Sequence, residues 1–212
     1  CTTLWGCGLD PQRATVRANA VGAMGLAEIP HPVSAAARQR PEQVALRTDS
    51  EGVTWSQMAR HVARRAAALR QMGVGDDDIV AMRADATVER VQWMHAVTWV
   101  GAILAPVDAR APAATTARLL RALCPDFYLV GDDEEIESAA SGETLSLSTL
   151  RDLVATTPHP TPASPWRLDG PRFRLLTSGS TGTPDAIDLT AGQVLASVLG
   201  SAQRLGHAPT DI

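Results

Sequence analysis

Apolar positions along the chain follow two rhythms. From residue 55 onward, Met58, Val62, Ala66, Leu69 and Met72 recur at helical steps and share one stripe, while Arg60, Arg64 and Arg70 fall off it as a solvated face. Thr54 with Gln57 has capping-box spacing, and Gly73 and Gly75 close the segment. The pattern predicts a second helix over 86–100, carrying Val88, Val91, Met94, Val97 and Trp99. Trp93 and His95 fall in that helix, and His95 reads as structural rather than catalytic. Further helices follow through Leu119, Leu120 and Leu123, over 147–154, and after Thr190 and Gln193. The last has a stripe of Val194, Leu195, Val198, Ala202 and Leu205.

Between these helices lie apolar runs of strand length at 43–47, 52–55, 79–82, 103–108, 126–130 and 172–176, the first two forming a hairpin. Strands alternating with helices predict an α/β fold, a largely parallel sheet flanked by helices. At the front, Pro30 and Pro32 favour an extended entry with His31 as a solvated loop residue. Ser34 then caps a short helix, Ala35 to Gln39, stopped by Pro41. Asp76-Asp77-Asp78 reads as an exposed turn rather than a metal site, and Asp132 to Glu135 as a solvated loop. The stretch 156–165 contains four prolines and no apolar period. The resulting division is an extension without assigned structure (1–30), an N-terminal α/β subdomain (31–155), a Pro-rich linker (156–165), and a truncated segment of strand, loop and helix (166–212).

Composition narrows the function. The 212 residues are 45% hydrophobic and 20% charged, with a formal net charge of −4, and no basic patch suggests a nucleic-acid partner. All 19 basic residues are arginine, so no lysine of this chain can serve as a catalytic cation. Cysteines at 1, 7 and 124 fit no zinc or redox spacing and suit a reducing, cytoplasmic setting. No run of 18 apolar residues predicts a membrane span, and residues 1–30 lack the pattern of a signal peptide. The chain begins at Cys1 and stops just after a helical pattern, so both ends read as cut, with Met24 a candidate start.

The stretch richest in chemistry is Leu175-Leu176-Thr177-Ser178-Gly179-Ser180-Thr181-Gly182-Thr183-Pro184. Five hydroxyls and two glycines follow a short apolar strand. Such a run packs poorly but can hold an anion, because glycines allow close backbone approach, successive N–H groups form a nest, and hydroxyls donate further hydrogen bonds. A flexible surface turn has the same composition. The spacing fits neither a Walker A loop nor a Gly-x-Ser-x-Gly nucleophile elbow.

In residue order this run resembles the phosphate loop of the adenylate-forming superfamily, whose usual form is Thr-Ser-Gly-(Ser/Thr)-Thr-Gly-x-Pro-Lys-Gly. The stretch from Gly101 to Val130 is similar to the same family in its Pro-Val-Asp turn, leucine-rich helix and strand. The resemblance implies the partial N-terminal domain of an acid–thiol ligase that uses ATP with Mg²⁺ to convert a small carboxylic acid into an acyl-adenylate, and then passes the acyl group to CoA or another thiol. It implies that Thr177, Ser178, Gly179, Ser180, Thr181, Gly182 and Thr183 contact the β- and γ-phosphates. It assigns no catalytic or metal-binding residue within this chain. The C-terminal part of the same protein becomes the expected partner, since the family's metal-site acid, ribose-binding aspartate and C-terminal lysine have no counterpart here. Within the superfamily, the loop followed by x-Ala resembles o-succinylbenzoate–CoA ligases.

One departure stands out. Asp185-Ala186 replaces the family's Lys-Gly, and no Lys or Arg lies between Arg174 and Arg204. A carboxylate where a cation belongs changes the charge beside a triphosphate by two units. That leaves a diverged, non-catalytic binding module as the alternative to an active ligase, and an unrelated α/β domain with a chance loop as a third reading.

Overall fold

A computed structural model describes residues 27–131, 142–157, 159–177 and 184–207. In chain order the elements are β1 (Glu28–Ile29), α1 (Pro32–Gln39), β2 (Val44–Arg47), β3 (Gly52–Thr54), α2 (Trp55–Gln71), β4 (Ile79–Ala84), α3 (Val88–Trp99) and β5 (Ile103–Asp108). They continue with α4 (Ala113–Leu123), β6 (Phe127–Val130), β7 (Glu143–Ser146), α5 (Leu147–Thr156), β8 (Trp166–Arg167), β9 (Pro171–Leu176), β10 (Ala186–Thr190) and α6 (Ala191–Leu205).

The main sheet has six strands in the order β10-β9-β5-β4-β6-β7. Five are mutually parallel, and β10 returns antiparallel along β9 at one edge. Successive strand side chains point to opposite faces, and the two cores follow from that. Val80, Met82, Leu104, Leu129 and Leu145 pack with Met58, Val62, Leu69, Trp93 and Val97 beneath α2, α3 and α5. Their neighbours Ile79, Ala81, Ile103, Ala105, Val107, Tyr128 and Val130 meet Leu120 and Leu123 of α4 on the other face. The α/β expectation, a largely parallel sheet between helices, is what the chain forms.

Local signals explain most element ends. Thr54 and Gln57 form the reciprocal capping box at α2, with N–H···O distances of 2.8 and 3.3 Å. Thr190 and Gln193 repeat it at α6, at 2.9 and 3.2 Å. Gly101 turns the chain from α3 into β5 at φ +85°, where an added Cβ would strike the Asp76 carboxylate. Gly192 lets the start of α6 press on the turn after β8, its N–H donating to the Leu168 carbonyl at 2.8 Å.

Several expectations are corrected. His31 is not a solvated loop residue: it is 1% exposed and is the N-cap of α1, which starts at Pro32 rather than at Ala35 behind Ser34. Proline at the first helical turn costs no hydrogen bond, so the pair of prolines opens a helix here. Arg64 and Arg70 do not sit on a purely solvated face. Their guanidiniums donate to the Val154 and Val100 carbonyls at 3.0 and 2.8 Å and tie α2 to its neighbours. Strands β1, β7, β8 and β10 were not predicted; the first and third are two residues each, and β10 carries a strand-averse aspartate, Asp188, at its centre. The acidic loop at Asp132 to Glu135 lies outside the described residues.

Candidate nucleotide-loop hairpin

β9 and β10 pair as two antiparallel arms, and the Ser/Thr/Gly run lies between them in the chain. Thr177 follows the C-terminal end of β9 and is exposed; its N–H donates to the Asp185 carbonyl at 2.9 Å, and its hydroxyl donates to the same oxygen at 3.3 Å. These bonds close the hairpin just below the loop. Of the residues expected to contact phosphate, Thr177 is described, whereas Ser178, Gly179, Ser180, Thr181, Gly182 and Thr183 lie outside the described residues. Thr177 therefore sits beyond the carboxyl ends of the parallel strands, where open α/β sheets collect their ligands. Asp185 is exposed on the opposite arm.

Three residues below the loop on each arm, Arg174 and Asp188 face each other in register. The guanidinium donates from Nε and Nη2 to the two carboxylate oxygens at 2.6 and 2.7 Å. Its third arm, Nη1, reaches the Leu123 carbonyl at the end of α4 at 3.3 Å. The hydrogen bond to Asp188, offset in part by burial, holds the Arg174 guanidinium above its ordinary pKa. Sequence reasoning missed this pair. The chain carries no local signal for it, because the pairing of 174 with 188 follows only from the register of β9 against the unpredicted β10.

Lower on β9, Arg172 is 4% exposed and anchors the strand to the helix–strand corner. Its Nη1 donates to the Gly101 carbonyl at 3.3 Å and lies 3.7 Å from Asp77. Asp76-Asp77-Asp78 is thus a turn with structural partners. Among the described residues no cluster of three or more His, Cys, Asp or Glu forms a metal site.

Behind the hairpin, His31 packs against Trp99 and Trp166 at ring separations of 5.0 and 5.4 Å. Its Nδ1 accepts from the Val33 N–H at 3.2 Å, so Nε2 carries the proton toward the Thr98 hydroxyl at 3.0 Å. Burial first, then the nearby His95 and Arg172, push its pKa down to about 3. Desolvation takes His95 to about 4, and its ring lies edge-on to His31. A cavity of about 590 Å³ between α2, α5 and the 157–161 crossing, lined by Ala59, Ala63, Trp99 and Ala155, is built from other elements than the hairpin.

A largely parallel, open α/β sheet is one of the architectures that bind nucleotides beyond the carboxyl ends of their strands. Residues 33–212 match the family described as AMP-binding enzyme, and the chain belongs to that family of adenylate-forming proteins. Among curated relatives it is 28% identical over 182 residues to a hybrid PKS-NRPS synthetase of Acremonium sp, covering 83% of this chain and 4% of that protein. It is 31% identical over 164 residues to a hybrid PKS-NRPS synthetase of Penicillium crustosum, covering 76% of this chain and 4% of the relative. Among solved structures, the o-succinylbenzoate coenzyme A synthetase of Bacillus subtilis with AMP superposes at TM-score 0.77 and 22% identity, over 87% of this chain and 48% of that one, a likeness of fold. The N-terminal subdomain of Klebsiella oxytoca NpsA superposes at TM-score 0.68 and 25% identity, over 79% and 43%. The chain thus spans under half of these solved structures and a few per cent of the synthetases. No helix among the described residues is long and apolar enough to cross a membrane.

Proposed function

We propose that this chain is the leading part of an ATP-dependent acid-activating unit. The acid's carboxylate attacks the α-phosphate, pyrophosphate leaves, and a thiol then accepts the acyl group from the acyl-adenylate. The observation that carries the reading is the family match over residues 33–212, with Thr177 at the end of a parallel strand. Thr177, Ser178, Gly179, Ser180, Thr181, Gly182 and Thr183 would hold the β- and γ-phosphates through hydroxyl and backbone donors, which suit an anion. Mg²⁺ would arrive with the phosphates and neutralise charge as pyrophosphate leaves. The peptide-synthetase relatives favour a carrier-bound thiol as acceptor over CoA. The remainder of the protein would supply the other nucleotide contacts and the acid pocket.

Asp185 favours a second reading, a diverged module that binds without catalysing. Acid-dependent ATP–pyrophosphate exchange by the full-length protein, run against a panel of amino, aryl and fatty acids, separates the two. Exchange with at least one acid is the expected result. Nucleotide binding with no exchange for any acid establishes the binding module, and binding of neither ATP nor AMP overturns both readings.

A further inference from the structure

We propose that Arg174 is a positioning residue for the nucleotide loop, acting through Asp188; the inference rests on the nucleotide-binding reading above. An apolar residue would suit position 174 on packing grounds, since Leu176, the next residue on the same face, joins the α4 core. Instead the chain places there a guanidinium whose side chain is 13% exposed and which bonds to β10 twice and to the end of α4 once. β10 needs that help. It is an edge strand that, among the described residues, pairs with no strand but β9, its ladder is irregular between Leu189 and Thr190, and Ile187 is 46% exposed.

The pair therefore fixes how the two arms of the hairpin sit against the rigid helix end. Thr177 and Asp185 lie three residues further along each arm, roughly 10 Å away at the usual strand rise. A tilt of about 6° at the pair would move Thr177 and Asp185 by about 1 Å, enough to spoil hydrogen-bond distances to a phosphate held at the loop. The bidentate fork resists that tilt in a way a single-point cation cannot. Because the loop would grip the β- and γ-phosphates, the effect should fall on ATP and spare AMP, which lacks them.

The test measures dissociation constants for MgATP and for AMP on the full-length protein by calorimetry. Arg174→Met should weaken MgATP about tenfold or more while AMP stays within twofold, with Arg174→Lys intermediate. Asp188→Asn provides a milder variant with the same ATP-selective pattern should Arg174→Met fold poorly. Arg151→Met breaks a comparable bidentate pair with Glu89 on the helical face, at 2.7 and 2.9 Å, and should change neither constant. Faster amide exchange at Thr177 in Arg174→Met should accompany the loss. Equal weakening of both nucleotides, or of neither, overturns the positioning role while leaving nucleotide binding intact. A wild-type protein that binds neither nucleotide removes both this inference and the functional reading beneath it.

Discussion

Acidification should unfasten the front of this domain through one side chain. His31 caps α1 as a neutral ring: Nδ1 must keep its lone pair for the Val33 N–H, and Nε2–H is spent on Thr98. A second proton on Nδ1 would face a donor with a donor, inside a wall of Trp99 and Trp166 and close to Arg172. Its folded pKa, about 3, lies below the ordinary 6.5, so the unfolded chain binds the proton more readily than the folded one. Stability is complete above pH 6.5 and drains away as pH falls through the window toward 3. Each pH unit well inside that window costs about 1.4 kcal/mol, so moving from pH 6.5 to 4.5 should remove on the order of 2 kcal/mol from this group. His95, held at about 4, loses stability over an overlapping window, and the two rings repel when both are charged, so their losses are not summed. The assay is urea unfolding at pH 7.0, 6.0, 5.0 and 4.5, comparing wild type with His31→Asn. Asparagine can still cap the helix but cannot titrate. It should be less stable at pH 7, by roughly 1–3 kcal/mol for the lost ring packing, and should show a flatter decline toward pH 4.5. Parallel slopes for the two proteins would refute the assignment of the acid sensitivity to this ring.

Other outcomes follow from single positions. Gly101→Ala forces a side chain into φ +85° and against the Asp76 carboxylate, and should lower stability by about 1–3 kcal/mol, read as a melting temperature several degrees lower. Asp185→Lys restores the family's cation beside the loop and should tighten MgATP by roughly tenfold at low ionic strength, with the gain shrinking in 0.5 M salt; unchanged affinity would show that the carboxylate does not face the phosphates. Val198 and Leu205 are 57% and 70% exposed on α6. The isolated chain should therefore self-associate in light-scattering chromatography, and Val198→Gln with Leu205→Gln should reduce that association; equal behaviour of both chains would count against an apolar cause.

The strands and helices of the core were legible because each carried its own period. The α2 stripe, the apolar runs of β4 and β5, and the two capping boxes all report local physics that tertiary packing then reinforced. The α6 stripe was legible as a helix but not as a surface, since among the described residues of α6 only Ala191 is buried. What the sequence hid were decisions made by distant neighbours. His31 reads as a loop residue beside two prolines until Thr98, Trp99 and Trp166 enclose it. Arg64 and Arg70 read as surface charges until the carbonyls they satisfy come into view. The loop was recognisable from residue order, but its supporting pair was not, because Arg174 and Asp188 meet only once the strand order of the hairpin is known.

The seam between β5 and β9 has a mechanical consequence. Six register pairs join β4 to β5, whereas a single pair, Leu104 with Phe173, marks the ladder between β5 and β9. A ladder that short leaves β9 fewer backbone hydrogen bonds to its neighbour than β4 has to β5, so other contacts must hold it in place. The β9–β10 ribbon thus leans on side chains where its ladder is short: Arg172 and Arg174 fasten it to the Gly101 and Leu123 carbonyls.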